Sequence, residues 1–240
     1  MNFTKRIISA VLALCLVMCC TITSFAAETA TAVGTLTIFA SNDGGNSSWN
    51  TSGHAFLAFE NTSSSSITIG GLTVAAGEEI TFGTWGNKSA HTGIWYNLES
   101  YFIHNQNAYT NRVSRSVVVT PNDIDDINTI IANNDTWSVL NNCASFAVKV
   151  WNAVAATTLN AGSPNTPTSL MASIKSKAGY RTGRAVQQNT RIGYVSSGSF
   201  VPATVSASAL SANMVTAANG NIVFTVPINL NPNSCDMEAW

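Results

Sequence analysis

Charge is scarce in this chain. Asp, Glu, Lys and Arg together make up 10% of its 240 residues, against roughly 25% in an average domain. Eleven basic residues face twelve acidic ones. Such a chain has no basic patch with which to displace counterions from a phosphate backbone, which excludes nucleic acid as a partner. Histidine is scarcer still, at three residues: His54, His91 and His104. There is no HExxH, no CxxC pair and no carboxylate cluster at metal-ligand spacing, so neither a metal nor a cofactor is expected. GxSxG and phosphate-binding loops are absent too. Little in this chain is equipped for chemistry, so the few residues that are stand out.

The N-terminus carries the marks of a secretory leader. Lys5 and Arg6 form a positive start, residues 7–20 an apolar core, and Ser24-Phe25-Ala26 offers small residues for cleavage after Ala26. The apolar run is too short and one-sided to span a membrane. Residues 1–26 are therefore set apart as a signal peptide, and the mature protein is expected to be secreted and extracellular. Without Lys5 and Arg6, nine basic residues oppose twelve acidic ones, a formal charge of −3. Three of the five cysteines, Cys15, Cys19 and Cys20, leave with the leader. Cys143 and Cys235 remain, and in an oxidising compartment two cysteines invite a disulfide.

Patterning divides the rest. Residues 35–40 read as a strand. His54 to Glu60 alternates into a second, with His54, Phe56 and Ala58 on one face and Leu57 and Phe59 on the other. Residues 67–69, 72–74 and 79–84 form short strands joined by Gly70-Gly71 and Ala76-Gly77. Residues 85–111 are irregular and aromatic, suited either to a substrate cleft or to a core. A strand over 114–119 precedes a helix start, with Thr120 as cap, Pro121 in the first position and Asp123 in the first turn. Ile124, Ile127, Ile130 and Ile131 share its apolar face. A second helix opens near Asn142, and Cys143 falls on one stripe with Phe146, Ala147, Val150, Trp151 and Val154. A third helix is expected over 168–178 and a last strand over 222–228. Residues 27–178 form the expected domain. Residues 179–240 are a weakly patterned extension that either completes that domain or stands apart from it.

Two segments carry the chemistry. Cys143 opens a helix, where unpaired N–H groups and the positive dipole end favour a thiolate and can hold an oxyanion. His54 opens an apolar strand, where an imidazole needs a partner. A thiol and an imidazole so placed are the minimum for a cysteine nucleophile and its base. The bland readings are a Cys143–Cys235 disulfide, a small buried hydrophobe and a structural histidine.

The order of parts resembles a known family. Gly53-His54 on a strand is followed by Phe82-Gly83-Thr84-Trp85-Gly86, then a strand and capped helix, then Asn141-Asn142-Cys143-Ala144-Ser145-Phe146-Ala147. Over about residues 35–178 this is similar to the circularly permuted branch of the NlpC/P60 papain-like superfamily, to which lecithin retinol acyltransferase-like proteins belong. The resemblance implies an α+β fold in which an antiparallel sheet packs against a few helices. It implies Cys143 as nucleophile and His54 as base, with a third polar residue orienting the imidazole. Thr84 and His91 are the candidates for that third position. The implied activity is a secreted cysteine hydrolase or peptidase cleaving an amide bond. Its substrate would be a peptide or acyl group, with peptidoglycan the default. An acyltransferase on the same site is the near alternative. A non-catalytic extracellular binding or adhesion module with a structural Cys143–Cys235 disulfide is the alternative from another class.

Overall fold

A computed structural model describes residues 31–43, 53–86, 88, 90–205, 214–219 and 222–227. The leader expected over residues 1–26 lies outside them, and so does Cys235. Among the described residues the chain is mixed α+β, with a large antiparallel sheet and four helices.

Among the described residues there are twelve strands: β1 (Gly34–Ser41), β2 (His54–Asn61), β3 (Ile67–Ile69), β4 (Leu72–Val74), β5 (Glu79–Trp85), β6 (Gly93–Tyr96), β7 (Val113–Val119), β8 (Arg181–Thr182), β9 (Gly193–Ser196), β10 (Ser199–Val205), β11 (Met214–Asn219) and β12 (Ile222–Pro227). The helices are α1 (Leu98–Gln106), α2 (Pro121–Asn133), α3 (Cys143–Val154) and α4 (Pro167–Lys175). Ten strands join one sheet in the order β12-β11-β10-β9-β6-β5-β2-β1-β7-β8, while β3 and β4 pair as a separate hairpin. Gly70 and Gly71 turn that hairpin with φ of 51° and 90°, the left-handed pair that a two-residue turn between twisted strands requires.

The sheet centre is β1, β2 and β5, paired antiparallel in a register that sets Phe39 opposite Phe56 and Leu57 opposite Phe82. Their alternation divides the core in two. Leu36, Ile38 and Ala40 of β1 and Ala55, Leu57 and Phe59 of β2 pack under α2, α3 and α4. Phe39, Phe56, Ala58 and Trp85 pack on the other side with Trp95, Leu98, Phe102 and Tyr109. Both faces are apolar, because helices or folded loops cover both. The strands accordingly read as almost continuous hydrophobic runs.

The helices behave as their sequences dictate at their starts. Thr120 Oγ1 caps α2 by accepting from the Asp123 N–H, and the Asp123 carboxylate accepts in return from the Thr120 N–H. Asn142 caps α3, its side-chain oxygen accepting from Ala144 N at 3.0 Å and Ser145 N at 3.1 Å.

The stretch expected to be irregular over residues 85–111 is not so throughout: it contains β6 and α1. Asn97 enters α1 with φ 61° and no side-chain cap, and the one start signal in its first turn is the acid Glu99 itself. The helix buries Leu98, Glu99, Ser100 and Phe102, a set with two polar members that makes no apolar stripe. Most aromatics of this stretch fill the core: Trp85, Trp95, Tyr96, Phe102 and Tyr109 are all buried. Beyond residue 178 the chain returns to the sheet, where β8 pairs with β7 and β9 with β6.

Candidate functional site

Two of the residues singled out by sequence, His54 and Thr84, lie at one end of the sheet. His54 opens β2, Thr84 and Trp85 close β5, and Trp137, in the loop that leads into Cys143, lies against Gly86. They reach that end from different sides.

His54 is fully buried, and it shares the sheet face of Phe56. Its ring lies 4.1 Å from the Trp85 ring and 5.6 Å from that of Tyr109, centroid to centroid. Its Nε2 meets Glu99 Oε1 at 2.9 Å. A carboxylate oxygen accepts, so Nε2 carries the proton and Nδ1 bears the lone pair. Nδ1 has no hydrogen-bond partner among the described residues. Burial lowers the His54 pKa, and the bond to Glu99 opposes that shift without cancelling it. The imidazole is therefore neutral near pH 7.

Glu99 is the hub of this cluster. It is itself fully buried and accepts three bonds, from His54 Nε2, from Trp85 Nε1 at 2.9 Å and from Thr81 Oγ1 at 3.0 Å. Nearby, the Lys88 ammonium sits 4.2 Å above the Trp85 ring and 5.6 Å from the Phe102 ring, an arrangement of cation–π type. Lys88 is 1% exposed. Burial pulls its pKa down to about 7, against the attraction of Glu99. A carboxylate taken out of water needs such company: an isolated buried charge is costly unless paired and hydrogen-bonded.

Cys143 is elsewhere. It is the first residue of α3, 1% exposed, and it packs in the cluster that holds Ala55, Leu57 and Phe59. The sheet thus separates it from the His54 ring. It is also disulfide-bonded, so it offers no titratable thiol in this state. A nucleophile and its base must come within hydrogen-bond reach, and this pair does not.

The two candidates for the orienting residue, Thr84 and His91, make other contacts. Thr84 follows Phe82 by two positions on β5 and pairs with Ile94, both on the α3 side of the sheet, so its side chain points away from His54. His91 is bonded to Asp135 at 2.7 Å and stacks on Tyr194 at 4.9 Å. Glu99, not Thr84 or His91, holds the imidazole. Sequence reasoning missed Glu99 because it sits in α1, a helix without a side-chain cap or an apolar stripe. The one available clue was that a buried strand histidine demands a partner.

Among the described residues no three His, Cys, Asp or Glu side chains come together as a metal site, and no helix is long and apolar enough to cross a membrane. Comparison with family models, with curated proteins and with solved structures found no match.

Proposed function

We propose that this chain is a non-catalytic extracellular binding module in which Cys143 is structural. It keeps the order of parts of the permuted NlpC/P60 plan: a histidine strand, a capped helix, then a cysteine helix laid on the sheet. The observation that carries the reading is the position of His54. Its ring is locked by Glu99 between Trp85 and Tyr109, on the sheet face opposite the cluster that contains Cys143. The disulfide at Cys143 supports the same reading, since a bridged sulfur is neither nucleophile nor acid.

One observation favours a second reading, the secreted cysteine hydrolase acting on a peptide or acyl substrate such as peptidoglycan. His54 is oriented by an acid and leaves Nδ1 without a partner, as a general base would. Catalysis on that reading requires reduction of Cys143 and passage of the imidazole around the sheet end.

Thiol counting on the secreted protein, with and without reductant, separates the two. The binding-module reading expects no free thiol at Cys143. It also expects Cys143→Ser to cost about 2–4 kcal/mol of stability, the usual contribution of a disulfide. A free thiol at Cys143 whose loss leaves stability unchanged would return the hydrolase to first place.

A further inference from the structure

A cleft away from His54 and Cys143 has the lining of a small-ligand site. It encloses about 240 Å³ and is walled by Tyr101, Asn105, Gln188, Asn189, Thr190 and Ile192, with Ala203 closing it. Its volume lies below the roughly 300–1,000 Å³ of drug-sized pockets, so it suits one small ring rather than a chain.

Ile192 and Ala203 are buried and make an apolar floor, and Tyr101 is a half-buried aromatic wall. Around them, four polar groups are unspent. No partner among the described residues takes the Tyr101 hydroxyl, the Asn105 side-chain oxygen, the Gln188 amide or the Thr190 hydroxyl. Together they offer donors and acceptors within one concavity. No charged side chain lines it. Arg191, next along the chain, is committed to Glu78 and to the Thr73 carbonyl.

The wall is held in place. Asn189 donates to Glu78 Oε1 at 2.7 Å and to the Glu79 carbonyl, and its own oxygen accepts from Arg191 N. Gln187 accepts from Glu79 N and donates its own N–H to the Glu79 carboxylate. Ser100 Oγ accepts from Asn189 N and donates to the Gln187 carbonyl. Residues 187–191 are therefore pinned to β5 and α1 before any ligand arrives, which lowers the ordering cost of binding.

We propose that this cleft binds a neutral sugar ring. A pyranose presents hydroxyls that both donate and accept at its rim, and an apolar face that stacks on an aromatic ring. An anionic ligand would find no cation here, and a peptide side chain would find no deep apolar pocket. The proposal names a ligand class for the binding-module reading and rests on it.

The test is a titration of the secreted protein with glucose, galactose, mannose and N-acetylglucosamine, followed by amide NMR shifts and by calorimetry. A capped alanine dipeptide is titrated in parallel. The expected result is saturable binding of at least one sugar, with shifts centred on residues 101–105 and 188–192. Gln188→Ala and Thr190→Val should each weaken it by about fivefold to tenfold, the net worth of one hydrogen bond. Both side chains are exposed, so the variants leave the fold intact; Tyr101→Leu then tests the stacking wall. Binding of no sugar, binding indifferent to both exposed variants, or binding of the dipeptide alone overturns the proposal. Each of these outcomes is independent of the thiol count, which alone tests the binding-module reading.

Discussion

His54 and Glu99 are joined Nε2 to Oε1 at 2.9 Å, and both are completely buried. Glu99 also holds Trp85 and Thr81, so three donors converge on one carboxylate. Glu99→Ala removes the acceptor of all three and leaves those donors without a partner inside the core. The expected loss is about 2–4 kcal/mol, measured by urea unfolding. A variant as stable as the native protein would show that the cluster is not a structural hub.

The same cluster makes stability depend on pH. Lys88 has its pKa drawn from 10.5 to about 7 by burial. Between these values the unfolded chain holds a proton that the folded one lacks, so stability rises with pH across that window and falls as pH drops toward 7. His54 has its pKa lowered from 6.5, also by burial. Below 6.5 the unfolded chain binds a proton that the folded one resists, so stability falls further on acidification. Urea midpoints taken from mildly acidic pH up to about 9, below the range in which tyrosines of the unfolded chain ionise, should therefore climb. Lys88→Met should flatten the alkaline limb and leave the acidic one.

Asn142 ties the entry of α3 in two directions. It accepts from Ala144 N and Ser145 N and donates to the Val139 and Asn165 carbonyls. Asn142→Ala should cost about 1–2 kcal/mol, the range for losing an N-cap. Asn142→Asp keeps the cap and loses both donations, so it should fall between the two. Thermal unfolding of the three proteins checks that order.

Gly86 has no room for a side chain. A Cβ there would stand 2.4 to 2.7 Å from three ring carbons of Trp137. Gly86→Ala should destabilise by about 1–3 kcal/mol through overpacking. Trp137→Leu in the same protein should recover part of that loss, because the two positions share one contact. Additive losses would show that the contact does not govern the site.

Much of this arrangement was legible in the sequence, and the decisive part was not. Alternation along β2 correctly set His54 with Phe56 and Ala58, and Leu57 with Phe59. The helical stripe correctly placed Cys143 inward with Phe146, Ala147, Val150 and Trp151. Thr120, Pro121 and Asp123 marked the start of α2 where it lies. What periodicity cannot show is which face of a doubly covered sheet a given helix takes. When both strand faces are apolar, either side suits α3. The face it takes is the one that Ala55 and Leu57 share, and that choice separates Cys143 from His54. Glu99 was hidden for a related reason. A short helix that buries a carboxylate among aromatics has no amphipathic pattern to announce it, and Asn97 leads into it in a left-handed conformation instead of as a side-chain cap.

The most direct measurement of the central claim is the pH profile of Cys143 alkylation in the reduced protein, with and without His54→Ala. Iodoacetamide labelling is located by mass, and Glu99→Gln serves as the control for a disturbed cluster. If the sheet separates the two residues, the profile owes nothing to the imidazole. Its shape is then the same in the native protein and in both variants. Rapid labelling well below pH 8 that His54→Ala shifts upward would mean that the imidazole reaches the sulfur. It would contradict the account.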